Sequence, residues 1–287
     1  MLSMRTPKPH PQLPQRTMCA ALSPAQSGLR AKILSEAAKD VCSTGFTNAA
    51  LVKSLKSLKM EDISDRTLSH IFSRGFPIAL VEHIVKSTNA QVQQELESAF
   101  NKDSIIQRID SNVDAFVQNR LLLPTEQNVV ERAILSKVQL LTPLVKHWPS
   151  AVALEYLPSN VPYTLLNVAE FVDTTAYYME RVVKLGELLE LARRTLQSKA
   201  MASHIQHGEA SSNDISPTSA FLKAFLQGVP LSSGPYGGHS ALDMGWYFKR
   251  AQIALLYGTA ITSLLGDISR NAVDTQSLTR AAVDRLF

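Results

Sequence analysis

Apolar residues recur every three or four positions along most of this chain, the period of helices that bury one face. Ile33, Ala37 and Val41 form such a stripe over residues 29–44, and Gly45 follows where a helix C-terminus needs a glycine. Thr47 is placed to cap a second helix with Leu51, Leu55 and Leu58 inward. The run Ser64-Asp65-Arg66-Thr67-Leu68 opens a short third helix through Phe72, and a long helix is expected over 77–120, with Val81, Ile84 and Val85 apolar and Leu121–Pro124 closing it. Residues 126–146 turn Val130, Ala133, Ile134, Leu141 and Leu144 inward, with Pro143 kinking the last turn. Two further helices start at prolines, over 149–156 and 161–182, and Leu185, Leu188, Leu189 and Leu196 continue the pattern to about Ala202. Loops are expected at 204–219 and 228–240, around a short amphipathic helix with Phe221, Leu222, Phe225 and Leu226. That helix reads equally as a lid, a membrane-touching element or a satellite of the core. The last long apolar helix spans 246–265. The fold class is all-α.

With 287 residues, 45% of them hydrophobic, the chain can bury a large core. Its formal charge of +4 is skewed to the N-terminus, where Arg5, Lys8, Arg16, Arg30 and Lys32 precede the first acid, Glu36. Such a segment reads as a mitochondrial presequence over 1–24 or as a basic tail without structure, since Pro7, Pro9, Pro11 and Pro14 interrupt any helix there. Cys19 and Cys42 make no disulfide framework, and Cys42 is expected as a small core filler. No uncharged apolar run reaches the roughly 18 residues a bilayer span requires, the best being Ala251–Gly266.

Known catalytic patterns are missing. His204-x-x-His207 is the sole close histidine pair, Glu-x-x-His motifs of a di-iron bundle do not occur, and phosphate-binding glycine loops and nucleophile elbows are absent. Neither a catalytic residue nor a metal ligand is assigned. Arg66, Ser69, His70 and Arg74 on the third helix are placed as phosphate contacts of a helix-turn-helix would be, but no dense basic patch surrounds them, so nucleic acid is not expected as a partner.

Two blocks carry a more specific signal. His147-Trp148-Pro149 and Leu157-Pro158-x-Asn160-x-Pro162 lie in the first, and Asp243-x-x-Trp246-Tyr247-x-x-Arg250-Ala251 in the second. Together they resemble the accessory lipid-binding family of mitochondrial ubiquinone (coenzyme Q) biosynthesis, and residues 33–55 resemble that family's first helices. The resemblance covers roughly 29–180 and 243–287, leaving 183–242 as an insertion. It implies a TetR-like fold, with a helix-turn-helix-like unit over 25–76 packed on a helical lipid-binding bundle over 77–287. It implies, further, a peripheral location on the matrix side of the mitochondrial inner membrane. Family members can carry one more amphipathic helix for membrane contact, which does not follow Phe287 here.

The same resemblance implies a protein that is not an enzyme and has no cofactor. Such a protein binds an isoprenoid quinone intermediate or a phospholipid and presents it to the di-iron demethoxyubiquinone hydroxylase, within the wider ubiquinone-synthesis complex; a homodimer is left open. The nearly all-apolar helices offer Leu157, Pro158, Leu165, Leu166, Val168, Ala169, Leu255, Leu256 and Gly258 as lipid-binding residues, with Ala254 and Ala260 as further small positions. An ordinary solid core has the same pattern. Asp173, Asp243, Trp246, Tyr247 and Arg250 form the implied partner-binding patch, with Trp246 and Tyr247 as aromatic anchors and Arg250 as an exposed orienting charge. An N-cap at Asp243 and a core contact by Trp246 are the structural alternative. A ligand-responsive TetR-type DNA-binding regulator is the competing function, and an enzyme of unassigned type a third.

Overall fold

The computed structural model describes residues 23–206, 221–222, 224–225 and 244–287. Nearly all of the predicted presequence, Asp243 and most of both predicted loops lie outside those residues. The described residues are all-α.

Helix α1 (Pro24–Thr44) begins with a capping box in which Ser23 and Gln26 satisfy each other's backbone N–H groups. Its apolar stripe Ile33, Leu34, Ala37 and Val41 is buried. It ends where Gly45 takes φ +65° and ψ −167°, a conformation that only glycine adopts without strain. Cys42 is exposed on this helix, facing away from the core into which its small size suggested it would fit. Helix α2 (Asn48–Ser57) starts after Thr47 as expected, but the Thr47 hydroxyl donates to the Thr44 carbonyl and leaves the helix without a side-chain cap. Helix α3 (Asp65–Ile71) is capped by Ser64, whose Oγ accepts from the Thr67 amide. The order is compatible with a TetR-type N-terminal unit.

The expected helix over 77–120 is three helices: α4 (Phe76–Phe100), α5 (Lys102–Asp110) and α6 (Val113–Val117). The break lies at Asn101, which leaves helical geometry and caps α5 by accepting from the Asp103 amide. Helix α7 (Glu126–Leu141) gives way to a tight turn over Thr142–Leu144, because Pro143 has no N–H to continue the ladder. The inward residues predicted for it are buried.

Helix α8 (Trp148–Glu155) and helix α9 (Val161–Gln206) follow. At 46 residues, α9 is about 70 Å long. Its first half supplies Phe171, Val172, Ala176, Met179 and Val182 to the main core. Its second half, the start of the predicted insertion, packs Leu185, Leu189 and Ala192 on Ile105, Ile106, Ile109 and Phe116 in a separate cluster. Leu222 is fully buried in the same cluster, so this part of the short amphipathic helix is a satellite of the core.

Helices α10 (Met244–Gly266) and α11 (Val273–Leu286) complete the bundle, α10 packing on α9, α7 and α11. The junction between them turns on Asp267, which accepts from the amides and hydroxyls of Ser269 and Thr275. Those four bonds hold its carboxyl well below the usual range. No helix of the described residues is long and apolar enough to cross a membrane.

Candidate functional site

The first signature block is an anchor. Trp148 is buried edge-on against Phe46, with ring centroids 6.2 Å apart, and His147 Nε2 lies 3.2 Å from the Cys42 carbonyl. The imidazole also lies so close to Gly45 that a Cβ there would meet His147 Nδ1 at 2.9 Å. Pro149, as the second residue of α8, has no helical bond to lose. Asn160 joins α8 to α9: its Nδ2 donates to the Leu154 carbonyl, and its Oδ1 faces Arg74 Nη1 at 3.5 Å.

Arg74, one of the residues placed as phosphate contacts of a helix-turn-helix would be, is engaged inside the protein. It is bonded to Glu82 at 2.6 Å and stacked on the Tyr163 ring at 3.8 Å.

A groove of about 370 Å³ opens between α8, the start of α9 and the second half of α10. Trp148, Val152 and Glu155 form its α8 wall, while Val161, Leu165 and Val168 come from α9, and Ala254, Gly258, Ile261 and Leu265 from α10. Three of the sequence-predicted lipid residues, Leu165, Val168 and Gly258, thus line one groove. Leu157, Leu166 and Leu255 are exposed, at 48%, 66% and 60%, and Pro158 and Ala169 are exposed as well. Leu256 is buried in the core, because α10 turns that face toward the bundle. Leu165 is itself 62% exposed, so it sits on the rim rather than deep inside. Tyr156 and Tyr163 extend the exposed apolar surface beside it.

Sequence reasoning missed the polar residues of this groove. Glu155 and Asn167 line it at 8% and 5% exposure, and Tyr257 joins them from α10, its ring 4.9 Å from Phe171. A lone Glu within Ala151–Pro158 and a lone Asn within Leu165–Phe171, each in an apolar run, were the available signals. Burial pushes the Glu155 carboxyl up to about 7 and also raises the Tyr257 hydroxyl, with the Glu155 charge adding to the latter. Behind the groove, Lys137 is 1% exposed and donates to the Val85 carbonyl, Thr88 Oγ1 and Asn89 Oδ1 at 3.1, 2.5 and 2.6 Å. Burial lowers its ammonium to about 7, against the attraction of Glu155 and Glu170.

The predicted partner patch divides. Arg250 is buried, contrary to its expected place on an exposed rim: Nε donates to Asp173 at 2.9 Å, Nη1 to Glu180 at 3.3 Å, and the guanidinium lies 3.6 Å from the Trp246 ring centre. Asp173 is thereby a partner of Arg250 within the protein. Trp246 is half-buried edge-on to Tyr247, while Tyr247, Phe248 and Met244 are exposed at 52%, 64% and 78%. Phe248 was not singled out from sequence.

A wider depression of about 640 Å³ lies between α4 and α7. It is lined by Glu95, Arg108, Glu131 and Arg132, among others, and the Arg132–Glu95 ion pair at 2.9 Å crosses it. Its polar lining suits it poorly to an apolar ligand. Among the described residues no cluster of three or more potential metal ligands occurs.

Comparison with known proteins gives these features a context. The COQ9 family model matches residues 235–286, which include all of α10 and α11. The ubiquinone biosynthesis protein COQ9, mitochondrial, of Drosophila melanogaster is 30% identical over 160 residues, 55% of this chain and 42% of that protein. Over these stretches the chain is similar to the COQ9 family. The rat and human proteins of the same name are 25% and 24% identical over 154 residues, 54% of this chain and 44% and 43% of theirs. The matched stretches therefore span less than half the length of these COQ9 relatives. Within the family match lie the α10 wall of the groove and the aromatic edge formed by Trp246, Tyr247 and Phe248.

Proposed function

We propose that this chain is a lipid-carrying accessory protein of mitochondrial ubiquinone biosynthesis. It holds the isoprenoid portion of a quinone intermediate in the groove between α8, α9 and α10. From there it presents the ring to the di-iron demethoxyubiquinone hydroxylase, which docks on the exposed aromatics of α10. The hydroxylase does the chemistry, on the matrix side of the inner membrane.

One observation carries this reading. An apolar groove within the ~300–1,000 Å³ range of small-molecule sites has exposed Leu165 on its rim, and exposed Leu157, Leu166 and Leu255 each follow a lining residue in sequence. Exposed leucines around an apolar groove suit a long isoprenoid tail or a membrane surface better than water. Each CH₂ taken from water contributes ~0.8 kcal/mol, so a tail lying along rim and groove gains affinity with every unit.

Mass spectrometry of lipids that co-purify with the full chain tests the proposal, with Gly258→Phe as the control. Gly258 lines the groove and a Cβ there meets nothing within 4 Å, so the substitution starts into open space, and helicity and unfolding of the variant check that the fold is kept. Loss of an isoprenoid from this variant supports the assignment. Equal occupancy in both proteins would place the lipid elsewhere.

A further inference from the structure

The depression between α4, α5 and α7 is a second cavity, with no lining residue in common with the groove of α8, α9 and α10. Two arginines from different helices line it, Arg108 of α5 and Arg132 of α7. Arg132 Nε and Nη2 each lie 2.9 Å from Glu95 Oε1, while the buried Ser136 donates its hydroxyl to Glu95 Oε2. These bonds fix the plane of the Arg132 guanidinium, and its Nη1 group has no acceptor among the described residues. Arg108 is exposed, and its guanidinium has neither a hydrogen bond nor an ion pair among the described residues.

The carboxylates of the lining are already matched. Glu95 is taken by Arg132, and Glu131 accepts from Arg280 Nε of α11 at 3.1 Å. Among the described residues, Arg108 is thus the one charge of the lining without a counter-charge. A single negative charge balances it. A phosphate dianion would bring a second charge into a cleft that Glu95 and Glu131 already border, and like charges repel. A carboxylate carries one charge and presents two oxygens to the planar fork of a guanidinium.

The remaining wall is apolar. Leu123 and Pro124 line it, and so does Leu122, which is 83% exposed. A flat hydrocarbon body gains by covering that surface. At about 640 Å³ the cleft lies within the size range of small-molecule sites, and its division into a charged and an apolar side suits a ligand divided in the same way.

We propose that this cleft binds a small monocarboxylate with a flat apolar body, its carboxylate held between Arg108 and Arg132 and its body laid against Leu122, Leu123 and Pro124. The site is separate from the lipid groove and does not depend on it.

Isothermal titration calorimetry of the full chain tests this with three probes that share one ring system: naphthylacetate, its neutral amide and naphthyl phosphate. Wild type is expected to bind the acid roughly tenfold more tightly than the amide, through the charge-assisted pair, and more tightly than the phosphate. The preference for the acid should fall as salt rises, while amide binding stays level. Arg108→Gln, at a side chain that bonds nothing in the fold, should bring acid and amide to equal affinity, and Arg132→Gln should weaken the acid as well. Gly258→Phe, which alters the lipid groove, should keep the full preference. Equal affinity of acid and amide for wild type, a preference that survives in Arg108→Gln, or one that disappears in Gly258→Phe overturns the site. So does tighter binding of the phosphate than of the acid, or failure of every probe to bind. Helicity of each variant is checked, and the comparison of acid with amide on wild type across salt decides by itself if a variant fails to fold.

Discussion

Arg250 donates from Nε to Asp173 at 2.9 Å, so two residues 77 positions apart fasten α10 to α9. The same guanidinium bonds Glu180 and stacks on Trp246, which makes it the centre of a four-residue assembly. Arg250→Ala removes the cation that both Asp173 and Glu180 accept from at a partly buried interface. Because Asp173 retains 35% of its side-chain exposure, solvent softens that loss. The expected destabilisation is about 2–3 kcal/mol, below the range for fully buried pairs. Arg250→Lys should recover less than half of it, since lysine has neither the planar fork nor the stacking face. Urea unfolding of the three proteins checks both statements.

Trp246 and Tyr247 should separate cleanly by stability and partner affinity. Trp246→Ala loses the cation–π contact and is expected to cost about 1–2 kcal/mol of stability. Tyr247→Ala and Phe248→Ala remove exposed rings, so their stability should stay within ~0.5 kcal/mol of wild type. If these rings meet the hydroxylase, either change weakens that complex by about 2 kcal/mol, roughly thirtyfold. Unchanged affinity in both exposed-ring variants would move the docking site off α10.

Much of the fold was legible because the local signals were strong. Gly45 marked the end of α1, Ser64 the start of α3, and Pro149 and Pro162 the starts of α8 and α9. The break between α4 and α5 was missed since its cap, Asn101, sits within a polar stretch that a helix also tolerates. Site residues were harder to read. A helix that is apolar nearly all round does not disclose which face meets the bundle, so Leu255 and Leu256, neighbours in sequence, fall on opposite sides of that boundary. Lys137 and Arg250 look like surface charges in sequence. Their burial depends on acceptors 48 to 77 positions away, Asn89 and Asp173 among them, which no local pattern reveals.

Gly45 offers a stability test of the His147 anchor. Alanine there must adopt φ +65° and place its Cβ 2.9 Å from His147 Nδ1. The backbone strain and the contact together should cost about 2–3 kcal/mol. Adding His147→Ala relieves the contact but not the strain. The double variant is therefore expected to be less destabilised than the sum of the single changes, by about 1 kcal/mol in a double-mutant cycle. Strict additivity would mean that His147 moves aside without loss.

Glu155 and Lys137 should leave opposite slopes in the pH dependence of stability. Burial raises the Glu155 carboxyl from 4.5 to about 7, so between those values the unfolded chain holds fewer protons than the folded one. Its contribution is fully present below pH 4.5 and is lost as pH rises through about 7. Lys137 falls from 10.5 to about 7, so its contribution is fully present above pH 10.5 and is lost as pH falls through about 7. The pair is thus least favourable near neutrality, where Glu155→Gln should be more stable than wild type by up to roughly 3 kcal/mol. At pH 4.5 and below the difference should shrink towards zero. His83, whose lowered pKa acts in the opposite sense within the same window, is present in both proteins and cancels in the comparison. Urea unfolding of both proteins at pH 4.5, 6, 7 and 9 measures the difference. A constant offset across that range would show that the Glu155 carboxyl ionises in the folded protein as it does in water.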